Sequence, residues 1–306
     1  MPTDPQETPV LITIFNRPDK VERLMAALAM SKPRHLYVAA DGPRSHRPDD
    51  DEKCARTRAL ATAVTWECEV HTYFSDTNKG CRLGVSSAIS WFFSQVEAGI
   101  ILEDDCIPTP AFFTYTTELL HIHQNDERIM HINGSSFLTL AESGINPASY
   151  YVSALPLVWG WATWRRAWVQ YDINMKQRDY IVATLTRNHI FAKKSFAIFW
   201  QKLFGHILSA RVDTWDAQWV YTIMNAGGVT ITPPQNLIEN IGFDADATHT
   251  TENSPHALKS VTTELVTLIH PSDTTINKTL DTMVMHKVFI IPLWKKVFNL
   301  VKSKLS

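Results

Sequence analysis

Short apolar runs alternate with longer amphipathic stretches through the first half of the 306-residue chain. The runs are rich in residues that favour strands and end in polar or turn-forming groups, and the stretches between them have helical length and periodicity. The pattern predicts strands at 9–15, 36–40, 69–74 and 99–103, and helices at 20–30, 50–66, 83–96 and 110–124. Strand–helix alternation of this kind is typical of an α/β fold, so we expect a doubly wound, mostly parallel sheet flanked by helices.

The second half of the chain is less regular. Its clearest features are an aromatic-rich segment, pieces of helix and one strand, followed by a segment rich in Thr, Ser, Asp and Asn. We expect these features at 150–168, 174–205, 213–225, 229–232 and 244–282, with one helix near 257–269 inside the last. The C-terminal half is therefore predicted to be irregular.

Composition excludes several classes of protein. The chain is 45% hydrophobic with a net charge of −2, which is enough apolar material for a full core and gives no sign of nucleic-acid binding. The four cysteines are widely spaced and form no Cys-x-x-Cys pair, so we expect reduced thiols rather than a zinc site. We also find no signal-peptide pattern and no apolar run of about 18–20 residues, and we expect a cytoplasmic protein.

Polar groups follow three of the predicted strands. Asn16 and Arg17 end the first, Asp41 ends the second, and Glu103, Asp104 and Asp105 end the fourth. Ligands of doubly wound sheets bind at the carboxyl ends of the strands. The three polar groups are therefore expected to converge on one binding edge.

The acidic triplet at 103–105 directly follows a strand of buried character. Adjacent carboxylates repel each other, and burying them without a counter-charge is costly. Mg²⁺ or Mn²⁺ would relieve this cost, because both prefer oxygen ligands. In an extended segment Glu103 and Asp105 face one way and Asp104 the other, so one or two of them would reach the metal. The alternative is a solvated acidic turn that caps the helix beginning near Pro110.

Residues 99–113, Gly-Ile-Ile-Leu-Glu-Asp-Asp-Cys-Ile-Pro-Thr-Pro-Ala-Phe-Phe, resemble the metal-binding strand of N-acetylglucosaminyltransferase I and its GT-A-fold relatives. The preceding segment 83–92 is similar too, and 10–18 resembles the first strand of family 2 glycosyltransferases. A weaker match at 159–250 resembles bacterial family-2-like sugar transferases. The resemblance implies a GT-A-like fold and the metal-dependent transfer of one sugar from a nucleoside-diphosphate sugar, with inversion at the anomeric carbon. A UDP-sugar is the favoured donor type. The acceptor would be a glycan or a lipid-linked acceptor.

The resemblance also implies roles for the acids. Asp105 would be the direct metal ligand, and Glu103 and Asp104 would contact the nucleoside diphosphate or the sugar. His249, in a segment that resembles the donor loop of bacterial relatives, would complete the metal shell or touch the diphosphate. The alternative for His249 is a solvated loop histidine.

Four further residues are implied on the donor side. Asn16 and Arg17 would line the nucleotide pocket, Asp41 would meet the base or ribose, and Arg82 would lie near the diphosphate. Asp41 is followed by Gly42 and is equally suited to a turn, and Arg82 could form an ordinary ion pair.

An inverting transfer needs a carboxylate base. Asp213-Thr214-Trp215-Asp216 resembles the base-bearing Asp-Asp-Trp segment of the same relatives, so both acids are candidates and Asp216 is favoured. Either acid could instead only cap a helix. Trp161, after Gly160, could stack on a sugar ring or fill the core.

The C-terminal segment 287–305 is basic and amphipathic, with apolar residues and lysines on opposite faces. Such a helix can lie on an anionic membrane, which would make the protein peripheral on the inner membrane face. The alternative is a terminal helix packed on the body of the protein.

We expect a nucleotide-sugar-binding half at 1–135, an acceptor-side half of the same catalytic domain at 136–255 and a helical tail at 256–306. Two other functions stay open: a non-catalytic nucleotide-sugar-binding module and a nucleotidyltransferase. A nucleotidyltransferase would want a glycine-rich, basic loop after the first strand, which residues 16–19 do not provide.

Overall fold

The computed structural model describes residues 1–147, 149–176, 193–242 and 267–290. Its strands are β1 (Val10–Ile14), β2 (His35–Ala40), β3 (Glu69–Phe74), β4 (Ala98–Glu103), β5 (Cys106–Pro108), β6 (Ile129–Asn133), β7 (Tyr151–Ser153), β8 (Trp161–Trp164), β9 (Val229–Thr232) and β10 (Ile238–Asn240). Its helices are α1 (Pro18–Ser31), α2 (Asp50–Thr62), α3 (Gly80–Gln95), α4 (Pro110–Ile122), α5 (Leu140–Ser143), α6 (Arg165–Trp168), α7 (Lys194–Leu208), α8 (Asp216–Ala226) and α9 (Lys278–Val284).

One wide sheet runs through the described residues in the order β3-β2-β1-β4-β8-β6-β9-β7. Strands β3, β2, β1 and β4 are mutually parallel, β8 is antiparallel to both of its neighbours, β6 and β9 are parallel, and β7 is antiparallel to β9. A short antiparallel pair of β5 and β10 lies beside it. The predicted α/β class, a wide and mostly parallel sheet flanked by helices, is confirmed.

The central strands are apolar up to Thr13 in β1 and Glu103 in β4, because both faces of the sheet are covered. In β1, Val10, Ile12 and Ile14 belong to one core cluster, whereas Leu11 belongs to the cluster on the other face. The alternation continues in β4, where Ile101 faces away from its neighbours along the strand. A strand buried on both faces reads as a continuous apolar run, which is the signal that identified these elements in the sequence.

The second half of the chain completes the same sheet rather than remaining irregular in its core. Of the four strands after residue 128 that complete the sheet, β6, β7, β8 and β9, the sequence pattern predicts only β9, at its observed bounds. Buried Asn133 of β6 holds this region together, because it donates to the Leu155 carbonyl and to Thr232 and accepts from the Leu157 amide. Such a polar network cannot be recognised from hydrophobic periodicity.

The C-terminal described segment is tied to the sheet by a buried carboxylate. Asp281 of α9 accepts hydrogen bonds from the Ser153 hydroxyl at 2.5 Å and from the Ala154 amide at 3.0 Å. None of the helices within 1–147, 149–176, 193–242 and 267–290 combines the length and apolar character needed to cross a membrane. Three predicted segments lie in large part outside the described residues: the basic tail at 287–305, the helix at 257–269 and the segment at 174–205. The division of the chain into three parts stays a prediction.

The glycine before β8 offers a test of this packing. Gly160 has φ +61°, and a Cβ atom there would lie 2.4 Å from the Ile238 side chain, whereas Gly144 has φ +63° with nothing near. We expect Gly144→Ala to lose about 1–2 kcal/mol of unfolding free energy through its backbone alone. Gly160→Ala should lose about 1–3 kcal/mol more through overpacking, as measured by chemical denaturation. Equal losses in the two variants would contradict this packing.

Candidate functional site

Strand register brings the polar groups of the sequence to one edge of the sheet. β1 lies between β2 and β4, with Thr13 opposite Glu103. The Asp104 amide donates to the Thr13 carbonyl, and the Asp41 amide donates to the Ile14 carbonyl. The ends of β1, β2 and β4 therefore present their side chains side by side at the carboxyl edge.

Arg17 lies at the centre of this edge. Its position is set by Pro18, the first residue of α1, which restricts the backbone of the residue before it. The guanidinium contacts both oxygens of Asp104, through Nη2 and through Nε at 3.1 Å, and its Nη1 donates to Asp105 Oδ2 at 3.0 Å. Residues 104 and 105 form a turn rather than an extended segment, so the expectation that these two side chains face opposite ways is wrong.

One arginine does not balance the acids around it. Burial alone would lower the pKa of Arg17, but Asp104 and Asp105 outweigh it and raise the pKa. Burial raises the pKa of Asp104 although Arg17 opposes the change. Withdrawal from water, followed by the charges of Asp105, Asp104 and Asp216, raises the pKa of Glu103 to about 8. The edge therefore holds more acids than its one arginine pairs with, and Glu103 is held toward its neutral form.

Asp105 is enclosed from a second direction by the segment after β10. Its carbonyl accepts from the Ile241 amide at 2.9 Å. The backbone of Gly242 approaches the side chain so closely that a Cβ atom at that position would lie 2.3 Å from Asp105 Oδ2. This close approach explains the need for glycine, which the sequence reading did not single out.

The N-terminus of α3 is capped by carboxylates from two other parts of the chain. Asp41 accepts from the amides of Lys79 and Gly80 at 2.9 and 3.1 Å. Asp213 accepts from the amides of Cys81 at 2.9 Å and Arg82 at 3.3 Å. These contacts explain why α3 begins at residue 80 rather than at 83, and they occupy the amides that would otherwise bind an anion.

Asp216 begins α8 and makes different contacts from Asp213. Its Oδ1 accepts from the Thr214 hydroxyl and, at 2.7 Å, from the Ala217 amide. Among the described residues both hydrogen bonds to this carboxylate end on Oδ1, which leaves Oδ2 available. Asp216 contributes to the raised pKa of Glu103, so it lies beside the acidic triplet.

Three further side chains lie near the starts of α3 and α8. Arg82 has a buried Nε with no hydrogen-bond partner among the described residues. Tyr171 donates to the Trp215 carbonyl at 3.0 Å, and burial followed by the charge of Asp216 raises its pKa. Burial and the charges of Glu103, Asp216 and Asp213 raise the pKa of Cys81, which stays a thiol. Tyr171 and Cys81 carry no sequence motif and were missed as site residues.

Asn16 lies at the same edge but is committed to structure. Its amide donates to Asp50 at 2.7 Å, and Asp50 is also held by Arg44 at 2.6 Å. The hydrogen bonds from Arg44 hold the pKa of Asp50 well below its usual range. Asn16 thereby anchors the loop that borders the predicted nucleotide pocket.

Trp161 is a core residue, which corrects its assignment to substrate binding. Its side chain is 0% exposed, and its ring stacks on His131 and on Trp215 with centroids 4.8 and 5.7 Å apart. An indole enclosed in this way cannot stack on a sugar. The second interpretation of this residue, core filling, describes its place in β8.

No group of three or more His, Cys, Asp or Glu side chains within the described ranges has the arrangement of a metal site. His249 lies outside those ranges, so its predicted role as a ligand stays a prediction. The donor chemistry nevertheless fits a hard divalent cation, because Asp104 and Asp105 offer oxygen atoms in a region with excess negative charge. Mg²⁺ or Mn²⁺ would supply the missing charge.

Comparison with known proteins gives a limited result. No family model and no curated protein sequence matches the chain. Among solved structures, the galactosyltransferase LgtC in complex with donor and acceptor sugar analogs is similar over 94% of this chain and 98% of its own, with 8% identity and a TM-score of 0.39. Values at this level support no inference about activity.

The raised pKa of Glu103 predicts a pH effect on stability. Its ordinary pKa is 4.5 and its folded pKa is about 8, so between these values the folded chain binds more protons than the unfolded chain. Unfolding free energy should therefore fall as pH rises through this window. In the presence of a chelator, we expect the wild type to lose stability relative to Glu103→Gln between about pH 5 and pH 8 in denaturation experiments.

Groups that do not interact with Glu103 are common to both proteins and cancel in this difference. Buried His131, whose pKa burial lowers to about 3, makes stability rise with pH over part of the same range in each protein. A stability difference that stays constant with pH would show that Glu103 titrates normally.

Proposed function

We propose that this chain is a metal-dependent glycosyltransferase that moves one sugar from a nucleoside-diphosphate sugar to a glycan or lipid-linked acceptor, with inversion and with Asp216 as the base. The observation that carries the proposal is the acidic edge itself. Glu103, Asp104 and Asp105 share one counter-cation, Arg17, and a further carboxylate with an available oxygen, Asp216, lies beside them.

The donor diphosphate needs positive charge at this edge. The N-terminal amides of α3 bind Asp41 and Asp213, so they do not supply it. Arg17 contacts the acidic triplet, and Arg82, at the capped start of α3, has a buried Nε with no hydrogen-bond partner among the described residues. These two arginines are the candidates to contact the diphosphate. A divalent cation held by Asp105, with Glu103 or Asp104 nearby, would neutralise the charge that develops on the departing diphosphate.

Asp216 is suited to remove the proton of an acceptor hydroxyl. Oδ1 is fixed by Thr214 and by the Ala217 amide, which holds the carboxylate in one orientation. Oδ2 would then take the proton as the acceptor oxygen bonds to the anomeric carbon and the bond from that carbon to the diphosphate oxygen breaks. Asp213, engaged by two amides of α3, is better suited to positioning this side of the site.

The two alternative functions differ in what they require. A nucleotidyltransferase would need a basic, glycine-rich turn after β1, where this chain has Asn16-Arg17-Pro18-Asp19. A non-catalytic module would bind the donor without using Asp216. The His249 contact and membrane binding through 287–305 remain parts of the proposal that rest on the sequence alone.

Donor binding should depend on the metal and on Asp105. We expect UDP- or GDP-sugars to raise the thermal midpoint of the wild type in the presence of Mn²⁺ and not with EDTA. Asp105→Asn should lose this stabilisation because an amide oxygen is a weaker ligand than a carboxylate. Glu239→Gln, which changes an exposed carboxylate, is the matched control and should behave as the wild type does.

If no nucleotide sugar stabilises the wild type with Mn²⁺, the proposed donor class is wrong. Stabilisation that survives EDTA and Asp105→Asn would instead indicate a metal-independent site.

Asp216→Asn should separate binding from transfer. We expect donor binding to be retained and sugar transfer to fall by about 10²- to 10⁴-fold, because an amide cannot accept the proton. Asp213→Asn should mainly lower the thermal midpoint, by weakening a helix cap worth about 1 kcal/mol. Transfer and donor hydrolysis measured by product release check both variants, and full activity of Asp216→Asn would exclude it as the base.

A further inference from the structure

Arg17 occupies the place where a divalent cation would be held. Its Nη1 donates to Asp105 Oδ2 at 3.0 Å, and the same oxygen faces the backbone of Gly242. Asp105 is therefore enclosed by a cation of the chain on one side and by the β10 segment on the other. A metal ion that used this oxygen would meet the guanidinium at short range.

The two contacts of Arg17 are unequal. Asp104 is 3% exposed and receives Nε and Nη2 on its two oxygens, whereas Asp105 is 18% exposed and receives only Nη1. Breaking the Asp104 pair would strand a buried carboxylate, which is costly. The Asp105 contact can be exchanged by a small rotation of the Asp105 side chain, which is 18% exposed, while the Arg17 guanidinium stays on Asp104.

Resting on the function proposed above, we propose that Arg17 is a resident counter-cation that makes metal and nucleotide bind together. With neither ligand bound, it neutralises Asp104 and Asp105. When a divalent cation arrives with a nucleoside diphosphate, the Asp105 carboxylate turns from Nη1 to the metal and a phosphate oxygen accepts from Nη1 instead, while Nε and Nη2 stay on Asp104. A metal ion alone must displace Nη1 without giving it a new acceptor, so it binds weakly.

The positive charges of Arg17 and of the metal repel each other at Asp105, and the diphosphate removes this penalty. Coupling between two ligands is reciprocal, so the metal must strengthen nucleotide binding by the same factor. Arg17 thereby favours a loaded site over a site that holds the metal alone.

Isothermal titration of Mn²⁺ tests the proposal without any measurement of activity. For the wild type we expect Mn²⁺ to bind about tenfold or more tightly with saturating UDP or GDP than alone. For Arg17→Met we expect Mn²⁺ alone to bind at least about tenfold more tightly than it binds the wild type alone, since a competing charge is gone. The factor by which UDP or GDP strengthens Mn²⁺ binding should therefore be smaller for Arg17→Met than for the wild type.

Two further variants complete the experiment. Arg23→Met removes an arginine from the same helix whose ion pair with Glu239 is exposed, and it should titrate as the wild type does. Arg17→Lys keeps a positive charge beside buried Asp104, but an ammonium group lacks the planar guanidinium that contacts Asp104 and Asp105 together. We therefore expect intermediate coupling between Mn²⁺ and nucleotide. It also provides a folded protein for the titration if Arg17→Met does not fold.

The outcomes separate the two proposals. If Mn²⁺ alone binds the wild type and the Arg17 variants with equal dissociation constants, the counter-cation role is wrong and the proposed function still stands. If Mn²⁺ binds none of the proteins, with or without UDP or GDP, the metal-dependent function is wrong and the role of Arg17 falls with it.

Discussion

The charge imbalance at the end of β4 is the constraint on which the candidate site depends. The sheet needs β4 as a buried central strand, yet the strand ends in three consecutive acids that share one guanidinium. The fold tolerates this arrangement because Pro18 directs Arg17 to the acids and because Glu103 is shifted toward its neutral form. A local cost of this kind, retained where a sheet edge meets two helix starts, is typical of functional sites.

Helix capping extends the same constraint to the second half of the chain. Asp213, which precedes α8, reaches the N-terminus of α3, while Asp41 holds the same helix end from β2. One helix start is thus shared by both halves, and it fixes the distance between the acidic edge and Asp216. The dipole of α3 is used for assembly, so the anionic donor of the proposed function would have to be bound by side chains and a cation.

The sequence predicted the parts of the molecule that are governed by local pattern. The four parallel strands were recognisable because burial on both faces makes β1 and β4 continuously apolar. Strands β6, β7 and β8 are three to five residues long and depend on buried polar contacts such as those of Asn133, so no periodicity announced them. The role of Trp161 is also ambiguous in the sequence, because a tryptophan beside a glycine has the same pattern in a buried core as in a binding cleft.

Within the site, residue types were predictable and their partners were not. The acids at 103–105 are recognisable in the sequence, but the turn at 104 and 105 and the contact of these two acids with Arg17 depend on how neighbouring strands are placed. Asp213 and Asp216 are both candidates for a base in the sequence, with Asp216 favoured, since both suit the start of α8. The amides of Cys81 and Arg82, which come from 131 or more residues earlier in the chain, separate them by engaging Asp213. Which carboxylate remains available for chemistry is therefore determined by the helix start that the fold brings beside it.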